Sequence, residues 1–232
     1  MVVERAGSTM GNGEAEGFEL ASVIDHTLLK ADATASAIEV LCSEALGFGF
    51  AAVCVNPSRA PLAADILRGS RVAVCSVVGF PLGADSADAK LAEAEWCLEN
   101  GASEIDMVMN IGDAKDGGWG QVEVEIGRLA DAVHAGGGIL KVILETCFLE
   151  RDEIVEGCER SVSAGADFVK TSTGFGGGGA TEDDVRLMFE TVAGRCLVKA
   201  SGGIRTRADA LAMVAAGAAR IGTSSGVAMV SC

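Results

Sequence analysis

The sequence predicts an α/β protein, a single (β/α)8 TIM barrel, and three observations carry this prediction. Eight short apolar segments rich in β-branched residues recur, at residues 23–25, 51–55, 72–78, 104–109, 139–145, 167–171, 197–200 and 220–223. Helical patterns lie between them, and four of these end close to a glycine, at residues 35–46, 87–99, 150–164 and 207–216. Neither a linker nor a change of composition divides the 232 residues, so we expect residues 21–232 to form the barrel and residues 1–20 a flexible N-terminal extension.

The order of these segments indicates how the strands pair. Strands that alternate with helices form parallel sheets through right-handed crossovers. Runs such as VAVCSVV show little alternation of polar and apolar residues, which is typical of strands covered on both faces. Thr181 and Thr206 precede helical patterns with acidic first turns, and both are predicted to cap those helices. A count of eight strands favours a closed barrel over an open doubly wound sheet.

Composition and charge limit the kinds of molecule that the chain is expected to bind. The chain has 18 Lys and Arg against 33 Asp and Glu, a formal charge of −15 that would repel nucleic acid and anionic membranes. No apolar stretch approaches the roughly 20 residues that a membrane span needs. The eight cysteines form no C-x-x-C pair, and several lie in apolar runs, which favours a reducing compartment. We therefore expect a cytoplasmic protein without a nucleic-acid or membrane partner. Barrels of this kind often pair through their outer helices, so a homodimer or higher homo-oligomer is expected.

Three of the six lysines lie inside predicted strands. Lys141, Lys170 and Lys199 fall on the fifth, sixth and seventh strands, where a buried ammonium group is costly. In a barrel they would point into one small volume, and both burial and mutual repulsion would lower their pKa values. A neutral amine is a nucleophile, so this pattern indicates amine catalysis. The alternative is that each lysine pairs with a carboxylate or reaches water at the end of the barrel.

Two carboxylates are predicted in the same region. Asp106 lies within the fourth strand and Asp25 at the end of the first. Either one could hold a structural ion pair with the lysines, or it could move protons as a general acid and base. Spacing alone leaves both interpretations open.

Glycine-rich loops follow the last three strands. The segments Ser201-Gly-Gly-Ile-Arg205 and Gly222-Thr-Ser-Ser-Gly226 lie after strands seven and eight, where barrels commonly bind phosphate. Ordinary glycine-rich turns are the alternative, and Arg205 would either add a charge to the phosphate site or form a surface salt bridge. A third loop, residues 171–180, contains four consecutive glycines and suggests closure over a ligand.

Metal and cofactor chemistry is not expected. The only histidines are His26 and His134, and the cysteine spacing matches no zinc motif. We expect His26 to be a structural imidazole and His134 to lie on an exposed helix.

Seven segments together resemble the deoxyribose-phosphate aldolase family. They are DHTLLK (25–30), VCVNP (53–57), VGFPLG (78–83), EIDMVMNIG (104–112), DFVKTSTGF (167–175), VKASGGIR (198–205) and RIGTS (220–224). The resemblance covers residues 23–230 in order. It implies a metal-independent class I aldolase on a (β/α)8 barrel. Such an enzyme reversibly cleaves 2-deoxy-D-ribose 5-phosphate into acetaldehyde and D-glyceraldehyde 3-phosphate during deoxynucleoside catabolism.

The resemblance also implies roles for individual residues. Lys170 would form the Schiff base, Lys199 would be the neighbouring cation that lowers the pKa of the nucleophile, and Asp106 would donate and accept protons. Supporting positions are Lys141, Asp25 and Cys54. Positions expected to line the sugar-phosphate site are Thr173, Gly174, Gly202, Gly203, Arg205, Gly222, Ser224 and Ser225.

One departure from the family pattern keeps alternatives open. Longer members end in a tail whose final tyrosine assists proton transfer, and this chain contains no tyrosine. A catalytically weak or inactive binding or scaffold protein on an aldolase frame is one alternative. Another phosphate-binding Schiff-base aldolase with a different substrate is the second.

Overall fold

Eight parallel strands close into a barrel in this computed structural model, which describes residues 19–231. Each strand pairs with the next in sequence, and the last pairs with the first, which confirms the predicted (β/α)8 barrel. The strands are β1 (Ile24–Leu28), β2 (Ala52–Val55), β3 (Ala73–Val78), β4 (Glu104–Val108), β5 (Ile139–Ile143), β6 (Phe168–Lys170), β7 (Leu197–Ser201) and β8 (Arg220–Thr223).

Helices surround the barrel. They are α1 (Ala35–Phe48), α2 (Ala60–Leu67), α3 (Ala87–Glu99), α4 (Ile111–Lys115), α5 (Trp119–Ala135), α6 (Arg151–Ser163), α7 (Glu182–Val192), α8 (Arg207–Ala215) and α9 (Gly226–Val230), with short 3-10 turns at Leu20–Val23, Pro57–Arg59 and Thr146–Phe148. The predicted caps are confirmed, because the hydroxyls of Thr181 and Thr206 accept the backbone N–H groups of Asp184 and Asp209. None of the helices within residues 19–231 has the length and apolar character of a membrane span.

Several predicted boundaries are wrong by a few residues. The first helix continues through Gly47 and ends before Gly49, which adopts the left-handed conformation that closes it. The strands predicted at 139–145 and 167–171 are shorter, since β5 ends at Ile143 and β6 has only three residues. Propensity alone does not show where inter-strand hydrogen bonding stops, so element ends are the least predictable feature.

Two apolar clusters pack around the strands and leave part of the barrel interior polar. The larger cluster fills the space between strands and helices and includes Leu20, which is 2% exposed although it was predicted as the end of the N-terminal extension. The remainder of that predicted extension, residues 1–18, lies outside the described residues. The smaller cluster consists of buried side chains from β2, β3 and the loop after β1: Leu29, Ala52, Cys54, Cys75 and Val77. The charged residues described next come mainly from β4 to β8.

Candidate active site

Asp106 is the centre of an ion-pair cluster inside the barrel. Its Oδ1 lies 2.9 Å from Lys141 Nζ, and its Oδ2 lies 2.7 Å from the Nζ atoms of both Lys170 and Lys199. β4 carries the aspartate, and the three lysines come from β5, β6 and β7. The prediction that the three strand lysines point into one volume is therefore confirmed.

A second tier of charged side chains surrounds this centre. Lys199 also pairs with Asp25, and Lys141 lies 2.6 Å from Glu104. Arg220 completes the tier, with its Nε 2.9 Å from Asp25 Oδ1 and its Nη2 2.6 Å from Glu104. The Arg220–Asp25 contact lacks the angles of a hydrogen bond, so it is an ion pair only. Glu104 and Arg220 were not among the predicted site residues.

The pKa values of Lys141 and Lys199 correct one prediction. Burial is the largest single influence and works to lower both, but the neighbouring negative charges together outweigh it: Asp106 at both residues, with Glu104 at Lys141 and Asp25 at Lys199. Both pKa values are therefore raised above the ordinary lysine value, and the expected lowering by burial and repulsion is wrong for these two residues. The carboxylates that the fold places between the ammonium groups offset their mutual repulsion.

The two aspartates show the complementary effect. Burial alone would raise the pKa of Asp106, yet Lys141, Lys170 and Lys199 hold it well below its usual range. Burial also opposes ionisation of Asp25, where Lys199 and Arg220 keep the pKa lowered. Both carboxylates are therefore ionised in the folded protein. Each strand lysine does pair with a carboxylate, as the alternative prediction states. The three amines nevertheless converge on one site.

Lys170 differs from its neighbours in position. It is the last residue of β6 and is 3% exposed, whereas Lys141 and Lys199 are each 0% exposed. Among the described residues its only carboxylate contact is Asp106. Of the three amines, that of Lys170 thus contacts the fewest carboxylates and is the most exposed to solvent.

Cys54 and Cys75 bring a thiol pair to the same cavity, which the sequence spacing did not indicate. They are register partners on β2 and β3, and the Cys75 thiol donates to Asp106 Oδ1 at 3.1 Å. The sulfur atoms and an Asp106 oxygen lie within 4.8 Å of one another, close enough for a metal ion. Three lysines also contact that carboxylate, so the local charge disfavours a cation.

The two histidines lie away from this cluster. His26 Nε2 lies 2.7 Å from a Glu44 oxygen, and His134 on α5 lies 2.9 Å from Asp167. These contacts match the predicted structural role of His26 and the predicted helical position of His134.

The glycine loop after β7 has the backbone that the sequence suggested. Gly202 and Gly203 adopt φ angles of 86° and 79°, which side chains with a Cβ rarely tolerate. A Cβ on Gly179 would lie 2.4 Å from Gly202 O, so the loop after β6 passes directly against the loop after β7. A cavity of about 550 Å³ opens beside these glycines. Glu182, Ile204, Asp209 and Met213 also line this cavity, so it is bordered by side chains as well as by the glycine backbone.

A reciprocal cap closes the N-terminus of α8. Asp209 Oδ2 accepts the N–H groups of Arg205 and Thr206, which precede the helix, at 3.1 and 2.9 Å. The Asp209 N–H donates to the Thr206 hydroxyl, so one of the expected free N–H groups of the helix is occupied. The Arg205 side chain is exposed and forms no ion pair with any residue from 19 to 231, so the alternative of a surface salt bridge is not seen.

The predicted residues in β8 and directly after it lie close to the same loop. Gly222 is buried and pairs with Ser201 of β7. Ser224 is exposed, and Ser225 donates its backbone N–H to the Thr223 hydroxyl at the start of α9. These residues and the loop after β7 therefore border one side of the barrel mouth.

Glu145 is a site residue that the sequence analysis missed. It is 1% exposed, and its carboxylate accepts the Thr173 N–H at 3.2 Å and also the Thr173 hydroxyl. The loop that carries Thr173 and Gly174 is thereby attached to the end of β5. The acidic residue in the segment LET was the available signal, because a carboxylate directly after a buried strand is unusual.

Comparison with known proteins identifies relatives along nearly the whole chain. The model of the DeoC/LacD family of aldolases matches residues 20–231. The deoxyribose-phosphate aldolase of Carboxydothermus hydrogenoformans is 54% identical over 211 residues, which cover 90% of this chain and 92% of that protein. That of Thermococcus gammatolerans is 53% identical over 216 residues, covering 92% and 96%.

A solved structure agrees with these sequence matches. The tetrameric deoxyribose phosphate aldolase from Aeropyrum pernix has a TM-score of 0.86 at 37% identity, and the match covers 91% of this chain and 89% of that one. The family match, the identities and the barrel with its three converging lysines all agree: the chain belongs to the DeoC/LacD family of aldolases.

Proposed function

We propose that this chain is a class I aldolase that reversibly cleaves 2-deoxy-D-ribose 5-phosphate into acetaldehyde and D-glyceraldehyde 3-phosphate, as a step of deoxynucleoside breakdown. The observation that carries the proposal is the convergence of Lys141, Lys170 and Lys199 on Asp106. The names of relatives more than 50% identical supply the substrate. No metal or cofactor takes part, because the amine itself is the electrophile-forming group.

Lys170 is the proposed nucleophile. Lys141 and Lys199 each contact two carboxylates, whereas Lys170 contacts Asp106 alone. The neutral form of this amine is the nucleophile. That amine attacks the C1 aldehyde of the open-chain sugar, and the carbinolamine loses water to give an iminium ion on Lys170.

The iminium ion then serves as the electron sink. Removal of the proton from the C3 hydroxyl forms the new aldehyde, and the electrons of the C2–C3 bond move to the nitrogen and leave an enamine. Asp106, 2.7 Å from Lys170 Nζ, moves protons directly or through water. Protonation at C2 and hydrolysis release acetaldehyde and restore the amine. Lys199, Lys141, Asp25 and Cys54 support this centre, with Lys199 as the neighbouring cation.

The phosphate is proposed to bind at the loops after β6, β7 and β8. Positive φ angles at Gly202 and Gly203 let backbone N–H groups face an anion. Asp209 already accepts the N–H groups of Arg205 and Thr206, so the loop donors proposed for the phosphate are those of Gly202 and Gly203. The proposed lining is Thr173, Gly174, Gly202, Gly203, Gly222, Ser224 and Ser225, with Arg205 at the rim.

We also propose that the protein works in the cytoplasm as a homo-oligomer. The seven described cysteines are free thiols, which a reducing compartment preserves. Val40, Leu46 and Phe48 are large exposed apolar side chains on α1, and the Aeropyrum pernix relative is tetrameric. Light scattering of the purified chain tests the assembly, and a monomer mass at micromolar concentration would contradict it.

Borohydride trapping tests the proposed activity. Incubation with acetaldehyde and borohydride should add one reduced two-carbon adduct to the peptide that contains Lys170, as read by mass spectrometry. Lys170→Ala should abolish both the adduct and turnover, while Lys115→Ala, a surface lysine paired with Glu153, should retain them. Absence of the adduct in the wild-type protein would favour the scaffold alternative. An adduct with pyruvate or dihydroxyacetone, without acetaldehyde release, would favour a different aldolase.

A further inference from the structure

Arg220 and Glu104 form an ion pair across the barrel that the proposed mechanism does not use. They are the first residues of β8 and β4, on opposite sides of the closed sheet. Arg220 Nη2 lies 2.6 Å from both carboxylate oxygens of Glu104. Glu104 is 5% exposed, and the Arg220 side chain is 16% exposed. The pair therefore lies at the opposite end of the strands from the glycine loops.

The pair belongs to one continuous network of ionised groups. Arg220 contacts Asp25 and Glu104, Lys141 contacts Glu104 and Asp106, and Lys199 contacts Asp25 and Asp106. Lys170 contacts Asp106 alone within residues 19–231. Four basic side chains thus face three carboxylates, and with all four bases protonated and all three carboxylates ionised the cluster carries one excess positive charge. Release of a single proton makes the cluster neutral.

We propose that Arg220 and Glu104 are positioning residues that set this charge balance, so that Lys170 is the group that gives up the excess proton. Arg220 supplies the fourth positive charge. It contacts the carboxylates of Asp25 and Glu104, each of which also contacts a lysine. Without it, those carboxylates would be free to compensate the lysines, and the cluster would already be neutral with Lys170 protonated. This inference rests on the proposed Schiff-base function.

The two members of the pair should act in opposite directions. Removing the positive charge of Arg220 favours protonation of the cluster, whereas removing the negative charge of Glu104 favours loss of a proton. Within residues 19–231, the other titratable groups beside Asp106 are the thiols of Cys54 and Cys75, which both variants retain. Removing both members leaves three lysines against two aspartates, so the excess of one positive charge is preserved.

Imine trapping as a function of pH tests the proposal. The yield of the acetaldehyde–Lys170 adduct should rise with pH through a midpoint in the wild-type protein. Arg220→Met should move that midpoint upward by roughly one pH unit, and Glu104→Gln should move it downward by a similar amount. The Glu104→Gln/Arg220→Met double variant should return it to within about 0.3 unit of the wild-type value, because the charge balance is restored.

Controls separate charge balance from a structural role. Arg220→Lys keeps the charge and should hold the wild-type midpoint, and Arg195→Met removes an exposed arginine paired with Glu159 and should change nothing. Replacing both members of a buried pair is often tolerated, so the double variant is expected to fold. A double variant that fails to fold, or single variants that fold with an unmoved midpoint, would overturn the proposal. Absence of any adduct in the wild-type protein would instead overturn the proposed function.

Discussion

Glu145 shows how one residue can attach a substrate loop to the barrel. Its φ and ψ angles of 57° and 63° are left-handed, a conformation that is uncommon outside glycine and clusters at functional sites. This geometry directs the chain away from β5 and places the carboxylate against Thr173, whose N–H and hydroxyl both donate to it. Gly176 packs on the same carboxylate, since a Cβ there would lie 2.9 Å from Glu145 Cδ. The Glu145 carboxylate therefore holds the first half of the glycine-rich loop, beside the Cys147 thiol, which donates to Gly176 O.

Replacement of Glu145 should weaken substrate binding more than it slows the chemical steps. Glu145→Gln keeps the shape but loses the charge that strengthens both hydrogen bonds, worth about 1–3 kcal/mol in total. We expect KM for 2-deoxyribose 5-phosphate to rise about tenfold, with kcat changed less than threefold. Steady-state kinetics measure both values. Thr173→Val removes the hydroxyl from the other side and should raise KM in the same direction; unchanged KM in both variants would refute this role.

The residues that the sequence identified correctly share a recognisable signal. Lysines in strands are rare, and period-two alternation places them on one face, so convergence of the three amines could be predicted. Their protonation could not, because it depends on partners that the fold brings from far along the chain. Arg220 lies 116 residues from Glu104 in sequence and still pairs with the carboxylate that contacts Lys141. Spacing contains no information about such pairs.

At the scale of elements, Lys90 joins two helices to the end of a strand. It is 0% exposed on α3, donates to Val108 O at 2.9 Å, and lies 2.8 Å from Glu125 on α5. Glu125 in turn accepts the N–H of Asn110 at 3.2 Å, just beyond β4. The contact fixes the end of the strand that carries Asp106. The helical pattern of α3 predicts the helix but not this burial, since lysine usually faces solvent.

Lys90→Met should destabilise the protein, although Lys90 is not among the residues proposed to contact substrate. Burial already raises the pKa of Glu125, although the Lys90 hydrogen bond opposes that rise. Loss of the cation leaves a buried carboxylate uncompensated, at a cost of about 3–5 kcal/mol in the free energy of unfolding. Urea denaturation at pH 7 measures the loss. The Lys90→Met/Glu125→Gln double variant should recover part of it, and a double variant that loses the sum of both single effects would contradict the coupling.

Element number and order were predictable because hydrophobic periodicity and closing glycines are local signals. The residues at which the elements end were less predictable. β6 consists of only Phe168–Lys170, after which the chain turns into the loop held by Glu145. Long-range contacts, rather than β propensity, decide where this strand stops.

At the scale of the whole molecule, an acidic surface encloses a cluster with an excess of positive charge. The chain carries a formal charge of −15, yet four basic side chains meet three carboxylates inside the barrel. Charges at the surface are screened within about 8 Å at physiological ionic strength, whereas those in the barrel are not. The local field of the cavity therefore governs an anionic substrate at close range. Net charge indicates which large partners are excluded, but it does not describe this site.

The same cluster should determine how stability depends on pH. Asp25 and Asp106 have folded-state pKa values below the ordinary 3.8, so their contribution is present above that pH and is lost as the pH falls toward the folded values. Lys141 and Lys199 have pKa values above the ordinary 10.5, so their contribution is complete below that pH and is lost only at higher pH.

The free energy of unfolding should therefore be nearly flat from roughly pH 5 to 9 and should fall steeply below about pH 4. Urea denaturation at pH steps between 3 and 10 measures this profile. Asp25→Asn removes one of the carboxylates whose pKa the fold lowers, so it should be less stable at pH 7 and show a shallower acid slope. Asp88→Asn, an exposed control paired with Arg128, should reproduce the wild-type profile. An acid slope equal to that of the wild-type protein in Asp25→Asn would show that ionisation of this buried aspartate does not stabilise the barrel.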